Sequence, residues 1–186
     1  MKKAVLIHGF NGDPKEGWKP WLKDELEKNG FQVIVPSMPS PSKPKLDEWI
    51  QTLSKTIGNP SEDLYLVGHS LGCATILRYL EQLQDKQKIG GAIFVAGFTS
   101  NLGICDLSNF FQNCFKWEKI KSGANSFAAL HSSNDPFVSI HYTEFFRDYL
   151  DSSILIEQDK GHFFETDGVT ELPSVLEILL LNTAED

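Results

Sequence analysis

Residues 64–83 read LYLVGHSLGCATILRYLEQL. The first five are a short apolar run of the kind that makes a buried strand. The last thirteen, 71–83, follow a strongly helical pattern. Only His69-Ser70 stands between them. A turn that sharp between strand and helix forces the serine into strained backbone, and Gly68 and Gly72, two residues before and two after, leave room for it. The Ser70 hydroxyl then projects clear of the sheet. The N–H of Leu71, at a helix N-terminus, points where an oxyanion would form. The bland alternative is a glycine-rich helix start with no chemistry.

The same alternation continues outward in both directions. Apolar runs at 3–8, 31–36, 91–97, 127–133 and 153–158 predict five more strands, and the spacing predicts helices over 19–29, 46–57, 144–150 and 172–182. Strands separated by helices of about ten residues are βαβ units, so the expected sheet is parallel and six-stranded, with helices on both faces and right-handed crossovers. The Pro/Ser stretch 36–44 must be an extended loop. The connection 98–126 is irregular and rich in aromatics; a link that long is either functional, as a small lid would be, or carries short helices of its own.

The chain has 186 residues, which suits one domain spanning 1–186. At 41% hydrophobic and 23% charged it cannot be a largely disordered chain. The formal charge of −8 comes from the second half, where residues 94–186 carry 14 Asp/Glu against 5 Lys/Arg. With no basic stripe to neutralise phosphates, nucleic acid is not an expected partner. No apolar run approaches a membrane span, and the four apolar residues after Met1-Lys2-Lys3 are too few for a signal-peptide core. Three irregularly spaced cysteines, Cys73, Cys105 and Cys114, suit a reducing, cytoplasmic setting. No sequence feature indicates a protein partner.

A nucleophilic serine needs a base and an orienting carboxylate. Of five histidines, His162 follows the last strand in the glycine-led loop DKGHFF, where strand C-termini line the crevice of an open α/β sheet. Asp135, in SSNDP, also follows a strand; its rivals are Asp106, Asp159 and Glu165, and Asn-Asp-Pro is equally ordinary turn chemistry. The loop HGFNG at 8–12 is the expected source of a second oxyanion donor, the N–H of Phe10 or, less favoured, of Asn11. Phe98, Phe110 and Phe111 are the candidate substrate-pocket residues; Phe115 and Trp117 could shield an apolar group too, with packing on the sheet the favoured reading for Trp117. Cys73, three residues past Ser70, reads as a small buried apolar group. The histidines and acids lack metal-site spacing, and the glycines lack the pattern of a dinucleotide site, so no metal or other cofactor is expected.

With the strand leading into His8-Gly9-Phe10, the elbow, Asp135 and His162 in that order, the chain resembles an α/β-hydrolase that lacks the first two strands of the larger members. More narrowly it resembles the small serine hydrolases of the retinoblastoma-binding-protein or YdeN-like type, nearly end to end: IHGFNG at 7–12 with Trp18 and Trp21, MPSPSKPKLDEWI at 38–50, LVGHSLGCATILRYLEQL at 66–83 and GHFFETDGVTELPSVLEIL at 161–179. The resemblance implies a reduced three-layer α/β-hydrolase fold without a large cap. It also implies a catalytic set of Ser70, Asp135 and His162, and a small-molecule ester or amide substrate. A binding module on a hydrolase fold and an acyltransferase are the competing functions.

Overall fold

The computed structural model describes residues 1–183; residues 184–186, the end of the expected domain, lie outside the described residues. Six strands form one sheet: β1 (Lys3–Ile7), β2 (Gln32–Ile34), β3 (Leu64–His69), β4 (Ile89–Val95), β5 (Ala124–Ser132) and β6 (Ser153–Glu157). The helices are α1 (Lys19–Lys28), α2 (Leu46–Ile57), α3 (Leu71–Leu80), α4 (Trp117–Ser122), α5 (Tyr142–Leu150) and α6 (Pro173–Leu181). All strands are parallel, in the order β2-β1-β3-β4-β5-β6. The chain first winds outward to β2, then crosses back over β1 to β3 and winds the other way. The reversal opens a crevice between the C-terminal ends of β1 and β3, where ligands bind in sheets of this kind.

Alternation along the strands sends successive side chains to opposite faces. On β1, Val5 and Ile7 join the core under α2, α3 and α5, with Trp49, Leu53, Leu77 and Phe146. Ala4 and Leu6 face the other core, with Leu22 and Leu26 of α1 and Val175 and Leu179 of α6. The result is three layers. Helix α3 is buried at every position, so it reads as helical without a polar face.

The connection from β4 to β5 does carry its own short helices, a 3-10 turn over Cys105–Phe110 and then α4. Helix α3 ends at Leu80, short of the expected 83, and the chain continues in tighter turns, Gln82 N–H to Tyr79 carbonyl and Leu83 N–H to Leu80 carbonyl.

Helix α3 starts in almost no space. A Cβ at Gly68 would lie 2.6 Å from the Cys73 nitrogen and 2.7 Å from the Gly72 carbonyl carbon, both backbone atoms that cannot step aside. Gly68→Ala is therefore expected to destabilise the fold by about 1–3 kcal/mol. Chemical denaturation would measure this as a lower midpoint; an unchanged midpoint would mean the helix start can shift.

Candidate active site

Ser70 sits between β3 and α3 with φ 54° and ψ −118°. Such a conformation costs on the order of 1–3 kcal/mol for a residue with a side chain, and is held only where the surroundings over-determine it. Here the Ser70 N–H donates to the Val95 carbonyl at 2.9 Å, and the Ser70 carbonyl accepts from the Cys73 N–H at 3.0 Å. The first-turn N–H of Leu71 is one of those a helix leaves unused. Gly9, at the end of β1, lies so close that a Cβ there would be 2.8 Å from the Ser70 Cβ.

His162 and Asp135 are far apart in sequence and meet at the ends of β6 and β5. The His162 Nδ1–H donates to Asp135 Oδ2 at 2.7 Å, with the side chains 5% and 1% exposed. A carboxylate can only accept, so this contact places a proton on Nδ1, and the lone pair of the neutral ring is then on Nε2. The other Asp135 oxygen accepts the N–H groups of Phe137 and Val138 at 2.8 and 2.9 Å. Among the described residues the His162 ring is hydrogen-bonded to Asp135 and to none of the rival acids. Asp106 and Asp159 are exposed, and Glu165 accepts the Gly17 N–H at 3.2 Å.

The histidine loop is held largely by side-chain acceptors, with the Phe163 N–H donating to the Lys160 carbonyl at 2.9 Å. The N–H groups of Asp159, Lys160 and Gly161 donate to Ser133 Oγ, Ser132 Oγ and Asn134 Oδ1, at 3.1, 3.0 and 2.8 Å. Those of His162 and Phe164 both donate to Asp167 Oδ2, at 2.9 and 3.0 Å. From the opposite side His69, inside the elbow, donates its Nε2–H to the His162 carbonyl at 2.8 Å. None of these supports was assigned from sequence. SSND reads only as a turn, and the return of Asp167 to His162 depends on the loop's conformation.

The loop after β1 is fixed by His8. Its Nε2 accepts the Met38 N–H at 3.0 Å, so its proton is on Nδ1, which donates to the Gly9 carbonyl at 2.9 Å. The Asn11 N–H donates to the Pro41 carbonyl at 2.9 Å and is already occupied. This removes Asn11 from the candidate oxyanion donors and leaves Phe10 with Leu71.

Ser70 and His162 open together onto a cleft of about 290 Å³, with Phe10, Phe98, Leu102, Ile104, Phe137 and Phe164 among its walls. Phe98 lines it as expected. Phe110 and Phe111 do not, which corrects the sequence expectation. The 3-10 turn rotates Phe110 inward, fully buried against Trp49, and Phe111 packs between Phe98 and Phe115. Trp117 stacks on Tyr149 of α5, away from the cleft. The exposed wall residue Phe137, in ring contact with His162, was not singled out from sequence.

Cys73 is buried, and burial pushes its thiol well above the usual range. It is no competing nucleophile. Among the described residues no group of three or more His, Cys, Asp and Glu side chains could hold a metal ion, and no helix is long and apolar enough to cross a membrane.

A serine in a strained turn after a central parallel strand, with a carboxylate-bound histidine on a later loop, defines the α/β-hydrolase class. Comparison with known proteins narrows it: residues 4–181 match the serine hydrolase family, and the chain belongs to that family. It is 37% identical to the hydrolase YdeN of Bacillus subtilis, covering 96% of this chain and 94% of that one, and 30% identical to the serine hydrolase RBBP9 of Rattus norvegicus, with 89% of each covered. The crystal structure of the B. subtilis ydeN gene product superposes with a TM-score of 0.94 at 36% identity, over 99% of this chain and 100% of that one. Est1E from Butyrivibrio proteoclasticus, at 16% identity and a TM-score of 0.75 over 98% and 88% of the two chains, shares the fold. The protein is therefore an enzyme of the serine hydrolase family, without a large cap domain.

Burial lowers the pKa of His8, His69 and His131 below the ordinary 6.5, that of His69 furthest. These rings bind protons in the unfolded chain that the folded protein refuses, so stability rises with pH in that range. Stability should be fully present above the unfolded value near 6.5 and be lost as pH falls below it. The denaturant midpoint is expected to fall between pH 7.5 and 5.5; a flat profile would mean the rings accept protons in the folded state.

Proposed function

We propose that this enzyme hydrolyses carboxylic esters, and activated amides, of small to medium acyl groups through Ser70, His162 and Asp135. The 2.7 Å hydrogen bond between His162 Nδ1 and Asp135 Oδ2 carries the reading, because it fixes the tautomer in which Nε2 can take a proton. In the proposed cycle Ser70 Oγ attacks the substrate carbonyl as His162 Nε2 takes its proton. The N–H groups of Leu71 and Phe10 hold the developing oxyanion, and His162 returns the proton to the leaving group. Water, activated by the same histidine, then clears the acyl-enzyme. Asp135 keeps its charge throughout and stabilises the imidazolium. No step calls for a metal or an organic cofactor.

The apolar cleft bounded by Phe98, Leu102 and Ile104 suits an apolar arm of limited size and keeps water from the reacting carbonyl. Residues 98–104, between β4 and the 3-10 turn, act in this reading as a small lid rather than a cap. The buried thiol of Cys73 and the exposed, unpaired Cys105 and Cys114 fit a reducing, cytoplasmic setting.

A fluorophosphonate probe should label Ser70 alone. Ser70→Ala should lower kcat by on the order of 10³-fold or more with the fold intact. Asp135→Asn should lower it by on the order of 10⁴-fold by inverting the tautomer. Labelling at another serine, or near-full activity in Asp135→Asn, would overturn these assignments. Across para-nitrophenyl esters of increasing chain length, turnover should be highest for short and medium acyl groups; efficient cleavage of long-chain triglyceride emulsions would contradict the pocket.

A further inference from the structure

Ser70 also borders a second depression, of about 340 Å³, which shares Phe10 and Phe164 with the apolar cleft but has a different chemistry. Gly9, Ser70, His69 and Lys19 line it, with Glu16 and Glu165 at its exposed edge. Lys19 is the unusual member. It is only 5% exposed, a degree of burial that lysine ordinarily reaches only when paired. Yet among the described residues no acceptor lies within hydrogen-bond or ion-pair distance of its Nζ. The contact it makes is with the Trp18 ring, 5.7 Å to the centroid. Nor is the ammonium sealed away: among the described residues the enclosed side-chain polar atoms without partners are Trp18 Nε1, His131 Nδ1 and Ser152 Oγ, and Lys19 Nζ is not one of them. A cation has been carried inward and left without a hydrogen-bonded partner, on a residue that lines the cleft containing the proposed nucleophile.

The two glutamates do not quench it. Glu16 Oε2 accepts the Asp13 N–H at 3.1 Å and Glu165 Oε2 accepts the Gly17 N–H at 3.2 Å, which holds both at the edge. Burial lowers the Lys19 pKa, while Glu16, Asp13 and Glu165 oppose that and favour the charged form. They also repel any ligand of high negative charge. One inward cation behind a negative edge fits a single carboxylate better than a phosphate.

We propose that Lys19 is a specificity-determining residue that receives a carboxylate on the substrate, so that the preferred ester has one apolar arm and one carboxylate-bearing arm. This rests on the hydrolase reading above, and adds to it the side of the site away from Phe98.

The test uses two matched pairs of esters. Para-nitrophenyl hydrogen adipate against para-nitrophenyl heptanoate places the charge on the acyl arm. Para-carboxyphenyl butyrate against para-carbamoylphenyl butyrate places it on the leaving arm. Each kcat/KM is divided by the spontaneous rate. In at least one pair the wild-type enzyme should prefer the charged ester by about tenfold or more, the scale of one hydrogen bond to a charged group. Lys19→Met should bring that ratio close to one, and Lys19→Arg should keep most of it. Ratios near one in both wild-type pairs, which need no variant, would overturn the proposal, as would a preference that survives in Lys19→Met. Ser70→Ala separates the two levels. Turnover that persists in it overturns the hydrolase reading, whereas its loss together with flat ratios overturns the role of Lys19 alone.

Discussion

Helix α3 can begin directly beneath Ser70 only because side chains are missing around it. Gly68 and Gly72 let the first turn of the helix lie against the backbone of β3 and β1, and Gly9 lets the loop after β1 pass against Ser70 itself. Close packing in a protein interior leaves no slack to absorb an added methyl group. The same close packing that holds the serine at positive φ brings the loop after β1, at Gly9, against the start of α3. Strain at Ser70 and the close approach of the two backbone segments thus have a common origin. The reversal of winding between β1 and β3 supplies the crevice, and the missing side chains supply the approach.

The second half of the site depends on polar contacts. The loop from Asp159 to Asp167 leaves a short edge strand and has little apolar burial of its own beyond Phe163. Its order comes from five backbone N–H groups captured by Ser133, Ser132, Asn134 and Asp167, and from the His69 ring on the His162 carbonyl. Each such bond contributes only about 1 kcal/mol net, but leaving a buried one unmade costs more, so the set acts as a constraint on geometry. His69 has a particular position in it, since it belongs to the elbow and grips the histidine loop. Its ring thus ties the segment that carries Ser70 to the segment that carries His162.

Much of this was legible in the sequence because each main feature occupies a strand end marked by glycine or turn chemistry. The six strands, Ser70 between its glycines, and the Asp135 and His162 loops all carry local signals. Three kinds of feature did not. Aromatics in the irregular 98–126 connection have no periodicity to say which face the sheet, so Phe110 and Phe111 could not be separated from Phe98. Side-chain to backbone capture, as by Asp167, depends on conformations that composition does not specify. Lys19 stands in a first helical turn beside a proline, where a lysine ordinarily reads as a solvated end, and only its burial beside Trp18 shows otherwise.

The neutral state of His69 follows from the same packing and matters to the chemistry. Its ring centroid is 5.1 Å from that of His162, which in the proposed cycle carries a positive charge while the serine attacks. A second charge at about that distance would oppose the imidazolium by roughly 3 kcal/mol at an effective dielectric of about 20, on the order of a hundredfold in rate. Burial holds the His69 ring well below the ordinary histidine pKa, and the nearby Lys19 charge pushes it the same way. The elbow histidine can therefore serve as a hydrogen-bond donor to the His162 carbonyl without becoming a competing cation. A phenylalanine at position 69 would avoid the charge but could not donate, and a lysine could donate but would bring the charge with it.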